Sequence, residues 1–447
     1  MTKRFFSTIF LMIGLGSLLN AQNQFTLKET ISYGLKSNRT ISIYKNNVLS
    51  AQQKAMQAGS AFLPNVNINA GLDDNLKLPI TVIPEGTFGP GTPEQRVSFG
   101  TKYSSSHVVQ LDQPIFDVAA MTGLKARQPS INYAKLQETE NLENIVYNIS
   151  VAYYKIIVAQ KQLDLLLDNK SRMEKIQSVT QLRANQGVAK KIDVKQVTVN
   201  IANIDAQISI INNSLELAKN TLKFNMGYPL NAPIILTDIT RWLDPNAVDI
   251  KKGFEFDYKN TIDYQLNATE IALLDINRKN IYDSRFPTIG FYARYGVNGI
   301  GQNLSDVYTK MYDFSTIGLK LNWNIFSGLR NVSSYKMANY DYENAKQNII
   351  LKEDQFKLMY QNAGLAFNRA ESTININRQN MELAREVYDN VSLQSKEGLA
   401  SLTDVLNAEN TYQQAQSNYI QSLLDYYLAE IEVRKANGTL TEFFNNL

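Results

Sequence analysis

Cysteine is absent from all 447 residues, so no disulfide staples the fold and no thiolate is available as a nucleophile or metal ligand. Histidine occurs once, at His107. A lone imidazole offers neither the paired ligands of a metal site nor a triad base with its nucleophile, and the sequence supports no enzymatic activity, no metal and no cofactor. Charge of one sign is also missing: 45 Lys and Arg stand against 42 Asp and Glu, a formal +3. Nothing in that balance selects a polyanion, so no nucleic-acid partner is expected. Past the N-terminus no run reaches about 18 consecutive apolar residues, which leaves strands of a closed barrel as the only route into a lipid bilayer. Proline is missing after Pro287, and the last third of the chain is free to run as long helices.

What is present begins with a leader. Lys3 and Arg4 precede an apolar run over residues 5–19, and Ala21 precedes the polar Gln22-Asn23-Gln24, which predicts a secretory signal peptide over 1–21. No cysteine follows the cleavage point, so the exported N-terminus carries no thioether lipid.

The chain is organised around a segment that occurs twice, at 185–227 and 396–438. Each copy opens on a glycine turn, Gly187-Val188-Ala189 and Gly398-Leu399-Ala400, reaches Asp193-Val194 or Asp404-Val405, and closes on Gly227 or Gly438. A constant offset of about 211 residues at every landmark marks an internal duplication. Behind the first turn Val194, Val197, Ile201, Ile204, Ile208, Ile211, Leu215, Ala218 and Leu222 step by three and four. That is a coiled-coil seam. Val405, Ala408, Tyr412, Ala415, Tyr419, Ser422, Tyr426, Ala429 and Val433 repeat it in phase.

Upstream of each copy the order is the same. A helix over 27–62 stops at Leu63-Pro64, and one over 264–285 stops at Phe286-Pro287, because proline lacks the donor and pushes its predecessor to extended geometry. Alternation follows at once, predicting strands at about 65–76 and 97–116 in the first half and 288–298 and 313–326 in the second. In the first strand Val66, Ile68, Ala70 and Leu72 oppose Asn65, Asn67, Asn69 and Asp73. Turn-rich stretches at 77–96 and 298–313 join each pair as loops. One apolar and one polar face suits either a half-buried soluble sheet or a membrane barrel. Strand length beyond the usual five or six residues and aromatics near strand ends favour the barrel.

Helices of some 55 to 65 residues then lead into the glycine turns, roughly 80 to 100 Å at 1.5 Å per residue. The first has a start or kink near Pro129, with its seam through Ile145, Ile149, Ala152 and Ile156. The second runs through Phe367, Ala370, Ile374, Ala384 and Tyr388. The predicted fold is an α+β membrane protein with duplicated helix-strand-strand-helix-helix halves, at 22–227 and 264–438. Residues 228–263 form an irregular connection and 439–447 a C-terminal tail.

The chain resembles the TolC-like outer-membrane efflux family over nearly all of its predicted mature length. The residues that carry this are Leu63-Pro64, Phe286-Pro287, Gln113-Pro114-Ile115-Phe116-Asp117, Asn324-Ile325-Phe326-Ser327-Gly328, and above all Gly398-Leu399-Ala400 with Asp404-Val405-Leu406-Asn407-Ala408-Glu409. The resemblance implies a homotrimer with a 12-stranded β-barrel in outer-membrane lipid and a periplasmic α-helical coiled-coil tunnel. It implies a passive exit duct of a tripartite efflux pump, working with a periplasmic adaptor and an inner-membrane transporter. The alternatives are a type I protein secretion duct and, from another class, a non-conducting coiled-coil scaffold.

By the same resemblance, acidic residues ring a periplasmic aperture at positions matching Asp193 and Asp404, while Asn407 stands where some members have a further Asp. Asp193 and Asp404 read equally well as plain helix-start residues. Gly187, Val188, Ala189, Gly398, Leu399 and Ala400 are expected either to dock an adaptor or only to seal their hairpins.

Overall fold

The computed structural model describes residues 24–237 and 256–447. The predicted leader at 1–21 and the middle of the 228–263 connection, with Trp242 and Pro245, lie outside the described residues. In chain order the first half forms β1 (Gln24–Phe25), α1 (Leu27–Ser37), α2 (Arg39–Gly59), β2 (Asn65–Asp74), β3 (Ile80–Ile83), β4 (Gln95–Ser98) and β5 (Tyr103–Phe116). It continues with α3 (Val118–Leu124), α4 (Arg127–Asn185), α5 (Lys191–Met226) and β6 (Ile235–Leu236). The second half gives α6 (Ile262–Asp283), β7 (Thr288–Gly301), α7 (Asp306–Thr309), β8 (Met311–Asn322), α8 (Arg330–Lys396), α9 (Leu402–Ala436) and α10 (Leu440–Asn446). Contacts divide the chain into a helical unit, Met1–Val48 with Ala134–Asn267 and Asn348–Leu447, and a strand unit, Leu49–Tyr133 with Ala268–Gln347.

In the strand unit the sheet order is β2-β5-β7-β8 with every neighbour antiparallel. The register sets Ile68 opposite Val109, Val109 opposite Tyr295, and Leu111 opposite Ala293, which in turn faces Ile317. Directly opposed residues share a face, so all four strands turn their apolar phase to one side. That side is bare: Ile68 is 75% exposed, Ile317 76% and Leu319 70%. The other face carries Asn67, Asn69, Gln110, Asp112, Arg294, Thr316 and Lys320 by the same register.

The helical unit is built on the predicted seams. Along α5, Val197, Ile204, Leu215 and Leu222 are buried and the intervening seam positions half-buried, while most residues off the seam face solvent and Lys223 and Met226 are buried in the last turn. Leu215 and Leu222 join a core that holds Ile31, Ile149, Tyr153, Ile374, Leu423 and Tyr427, and Val197 and Ile204 join a separate cluster with Met173 and Leu406. Tyr154 and Tyr427 stack with centroids 4.7 Å apart, worth about 0.5–1.5 kcal/mol beyond the area they bury. The helix α9 buries a second face that its seam did not announce, through Ile420, Leu423, Tyr427 and Ile431. It packs on more than one neighbour, so a single stripe understates its burial.

Several boundaries differ from the sequence reading. The helix expected over 27–62 breaks at Asn38, whose Oδ1 accepts from the Thr40 N–H at 2.9 Å and whose Nδ2 donates to the Asn225 carbonyl at 2.7 Å. A local side-chain hydrogen bond there competes with the helical one. The expected loop at 77–96 contains a hairpin, β3 paired with β4, so the strand expected over 97–116 is two elements. Val97 pairs with Thr81, and the long ladder starts only at Tyr103, next to an Asn75 N–H to Lys102 carbonyl bond at 2.7 Å.

In the second half β7 extends to Gly301. The last strand runs over Met311–Asn322 rather than 313–326, leaving Trp323, Ile325 and Phe326 exposed beyond its end. The tail at 439–447 is the helix α10, with Leu440 and Phe443 buried in the helical core.

Candidate functional site

Both glycine turns sit where a long helix reverses. After α4 and α8 the chain passes through Gly187 at φ 76° and Gly398 at φ 81°, left-handed values that cost a residue with a Cβ roughly 1–2 kcal/mol. The Val188 N–H donates to the Arg183 carbonyl at 2.9 Å and the Leu399 N–H to the Gln394 carbonyl at 2.8 Å. These bonds close each helix C-terminus in the way a left-handed cap allows. With the backbone thus satisfied, Val188 and Leu399 project outward, each 76% exposed, and Ala189 and Ala400 are half-buried behind them.

The two aspartates begin the return helices. Asp404 accepts from the Ser401 hydroxyl at 2.6 Å and the Ser401 N–H at 3.0 Å, while the Asp404 N–H donates to the Ser401 hydroxyl at 3.2 Å. This is a reciprocal capping box, and the Ser401 hydroxyl and N–H hold the Asp404 carboxyl below the usual carboxylate range. Asp193 accepts from the Lys190 N–H at 3.1 Å. The lysine side chain has no acceptor, so the Asp193 N–H donates to the Lys190 backbone carbonyl at 3.0 Å and the first cap lacks its side-chain half. Ser401→Ala is expected to cost about 1 kcal/mol locally, read as faster amide exchange over the first turn of α9 with the rest of that helix unchanged.

The sequence-predicted residues do not all converge. One groove takes Ala189 and Asp193 from the first hairpin with Leu402 and Val405 from the second. Asp404 and Asn407 are exposed and do not line it.

Beside this groove lies a polar cluster that the sequence reading missed. Arg172 of α4 donates through Nε to both oxygens of Glu409 of α9, at 3.1 and 3.3 Å, and its guanidinium lies 5.4 Å from the Tyr412 ring centre and 5.8 Å from that of Tyr388. The Glu409 side chain is 2% exposed. Burial pushes its carboxyl up, against the opposing pull of Arg172 and Tyr388. A signal existed: Glu409 follows seam residue Ala408 directly, and Tyr388 and Tyr412 are themselves seam positions.

A second acid cluster, with Glu140 and Glu143 half-buried and Asp263 exposed, lies elsewhere in the helical unit. Glu143 of α4 is pushed up to about 7 by burial, then by Asp263 and Glu140, with Lys435 opposing. Its folded pKa exceeds the unfolded value, so the folded state holds the proton more tightly and stability falls as pH rises from about 4.5 through 7. Glu143→Gln is expected to flatten that slope in thermal melts taken across this range.

Comparison with known proteins decides the class. The outer membrane efflux protein family profile matches residues 31–228 and 280–439. The chain belongs to the outer membrane efflux protein family. The gap between the two matched stretches contains the irregular connection, and each stretch contains one copy of the turn segment. The outer membrane protein TolC of Vibrio cholerae is 21% identical over 97% of this chain and 95% of its own length. TolC of Salmonella enteritidis is 22% identical over 88% and 78%.

Among solved structures, CusC superposes with a TM-score of 0.75 at 15% identity, covering 92% of this chain and 91% of that one. The Campylobacter jejuni CmeC channel gives 0.75 at 14%, covering 94% and 88%. The fold is that of the family's channels, and its place is the outer membrane. Members of this family are channel proteins, not enzymes.

Proposed function

We propose that three copies of this chain close one 12-stranded barrel and act as the passive exit duct of a tripartite efflux pump, fed by an inner-membrane transporter through a periplasmic adaptor. The observation that carries this is the bare apolar face of the four-stranded sheet. It is an unfavourable surface in water and a suitable one in lipid. Its edges β2 and β8 have no partner strand among the described residues and run antiparallel to each other. Pairing β8 of one copy with β2 of the next therefore continues the antiparallel pattern and removes every edge. Four strands per copy keep the total even, as outer-membrane barrels require, and the family resemblance sets the number at three.

Reconstitution tests this directly. Purified protein is expected to form a trimer that conducts ions in a planar bilayer. A trimer without conductance, or a chain that stays soluble without detergent, would overturn the duct.

At the turns of the helical hairpins, Val188, Ala189, Leu399 and Ala400, held out by Gly187 and Gly398, are the proposed adaptor contacts. Val188→Glu with Leu399→Glu is expected to abolish export while trimers still assemble, because a charge replaces an apolar knob. Export at the original level would reject the tips as the docking surface. Asp193, Asp404 and Asn407 are the proposed aperture residues, with Lys190 and Lys191 weakening the negative field at Asp193. Asp404→Asn is expected to lower cation preference more than Ser401→Ala does, since Ser401→Ala loses the cap and keeps the charge. Equal preference in the two variants would leave Asp404 as a cap alone. A secretion duct is the second reading, favoured by the 19% identity to the alkaline protease secretion protein AprF of Pseudomonas aeruginosa over 75% of this chain.

A further inference from the structure

The groove between the two hairpins of the helical unit has a chemistry that the duct reading does not use. It holds about 270 Å³, near the lower end of the ~300–1,000 Å³ typical of small-molecule pockets. Its lining includes the apolar Ile176 and Val179 of α4 with Leu402 and Val405 of α9. It also includes the cations Arg172, Lys175 and Arg183 of α4 and Lys396 at the end of α8.

Two of the charges that line it are already engaged. Arg172 is paired with Glu409, and the single carboxylate in the lining, Asp193, accepts from the Lys190 N–H. Lys175 and Lys396 have no carboxylate partner among the described residues, and Arg183 makes only a long bond, 3.4 Å, to the Ser395 carbonyl. Arg183 and Lys396, one from each helix, thus stand beyond Val179 without a carboxylate partner among the described residues, while Lys175 lies about 12 Å from Arg183 along α4, on the other side of Ile176 and Val179. The mutual repulsion of Arg183 and Lys396 is relieved by an anion, and the slot beside them gains by covering with hydrocarbon rather than water.

We propose that this groove binds a single-chain amphiphile with an anionic head. The head lies between Arg183 and Lys396, whose guanidinium and ammonium groups donate to it, and the chain lies over Ile176, Val179, Leu402 and Val405. A neutral head gains nothing from the cations, and a cationic one is repelled. Because the groove takes residues from α4, α5, α8 and α9, an occupant ties the two hairpins of one chain together at their tips.

The test uses the full chain in lipid nanodiscs and, as probe, undecanoate carrying a terminal diazirine. Photolysis is expected to label peptides containing Val179 or Leu402, with decanoate suppressing the labelling and decyltrimethylammonium leaving it unchanged. Arg183→Gln with Lys396→Gln, on exposed or half-buried positions, is expected to lower labelling at least tenfold, as is Val179→Trp, which fills the apolar half. Equal suppression by the two competitors, or labelling unchanged in either variant, would overturn the site. Oligomeric state and conductance are read on the same preparations, so a failure of the duct reading is seen separately from a failure of this one.

Discussion

Arginine in place of Ile317 is expected to reduce the fraction of protein recovered as inserted oligomer about thirtyfold or more, whereas arginine at the adjacent Thr316 changes it little. Ile317 lies near the middle of β8 on the bare apolar face, 76% exposed, and faces Ala293 across the ladder. A charge at the midplane of the lipid face of an outer-membrane barrel costs about 2–4 kcal/mol, and one on the opposite face is solvated by the lumen. The two positions differ by one residue, so strand propensity and expression are matched and only the face changes. Recovery from the outer-membrane fraction, with migration of unheated samples as the assembly readout, measures the ratio. Equal recovery for the two variants would show that this face does not meet lipid.

The second large effect is expected at Arg172. Arg172→Met leaves the Glu409 carboxylate buried without its cation, which costs about 3–5 kcal/mol for a pair of this kind, while Arg172→Met with Glu409→Leu recovers most of the loss. Exchange rates of the amides of α4 and α9 around residues 172 and 409 report it locally. The pH dependence carries a sign. Burial already raises the Glu409 carboxyl in the folded chain, and losing Arg172 raises it further, so the folded state of the single variant binds a proton more tightly than the unfolded one. Acid therefore stabilises Arg172→Met relative to the parent, and the deficit grows as pH rises above the ordinary glutamate range. A deficit independent of pH would mean that the lost packing of the guanidinium on Tyr388 and Tyr412 dominates, rather than the stranded charge.

Much of the architecture was legible because its signals are periodic. The α5 and α8 seams bury where the three-four spacing placed them, since a helix fixes which residues share a stripe. The strands appeared because alternation puts one residue type on each side of a pleat. Less legible were the interruptions. Asn38 breaks a helix through two hydrogen bonds, one of them to Asn225 far along the chain, and β3 pairs with β4 inside a stretch whose glycines and prolines read as loop alone. At the candidate site, the turns and the first residues of α5 and α9 were visible in the sequence. The Arg172–Glu409 pair was not, because its partners are joined only through tertiary packing.

The sequence by itself determined the duplication, the turn positions, the helix seams and the alternation of the strands, because each is a repeat of short period that local geometry converts into a face. Only the tertiary structure decided that the four apolar strand phases align on one uncovered side. It alone placed the cations of α4 and α8 around a single groove. Those outcomes depend on register between strands and on the rotation of one helix against another, and neither is encoded in the spacing of residues along one element.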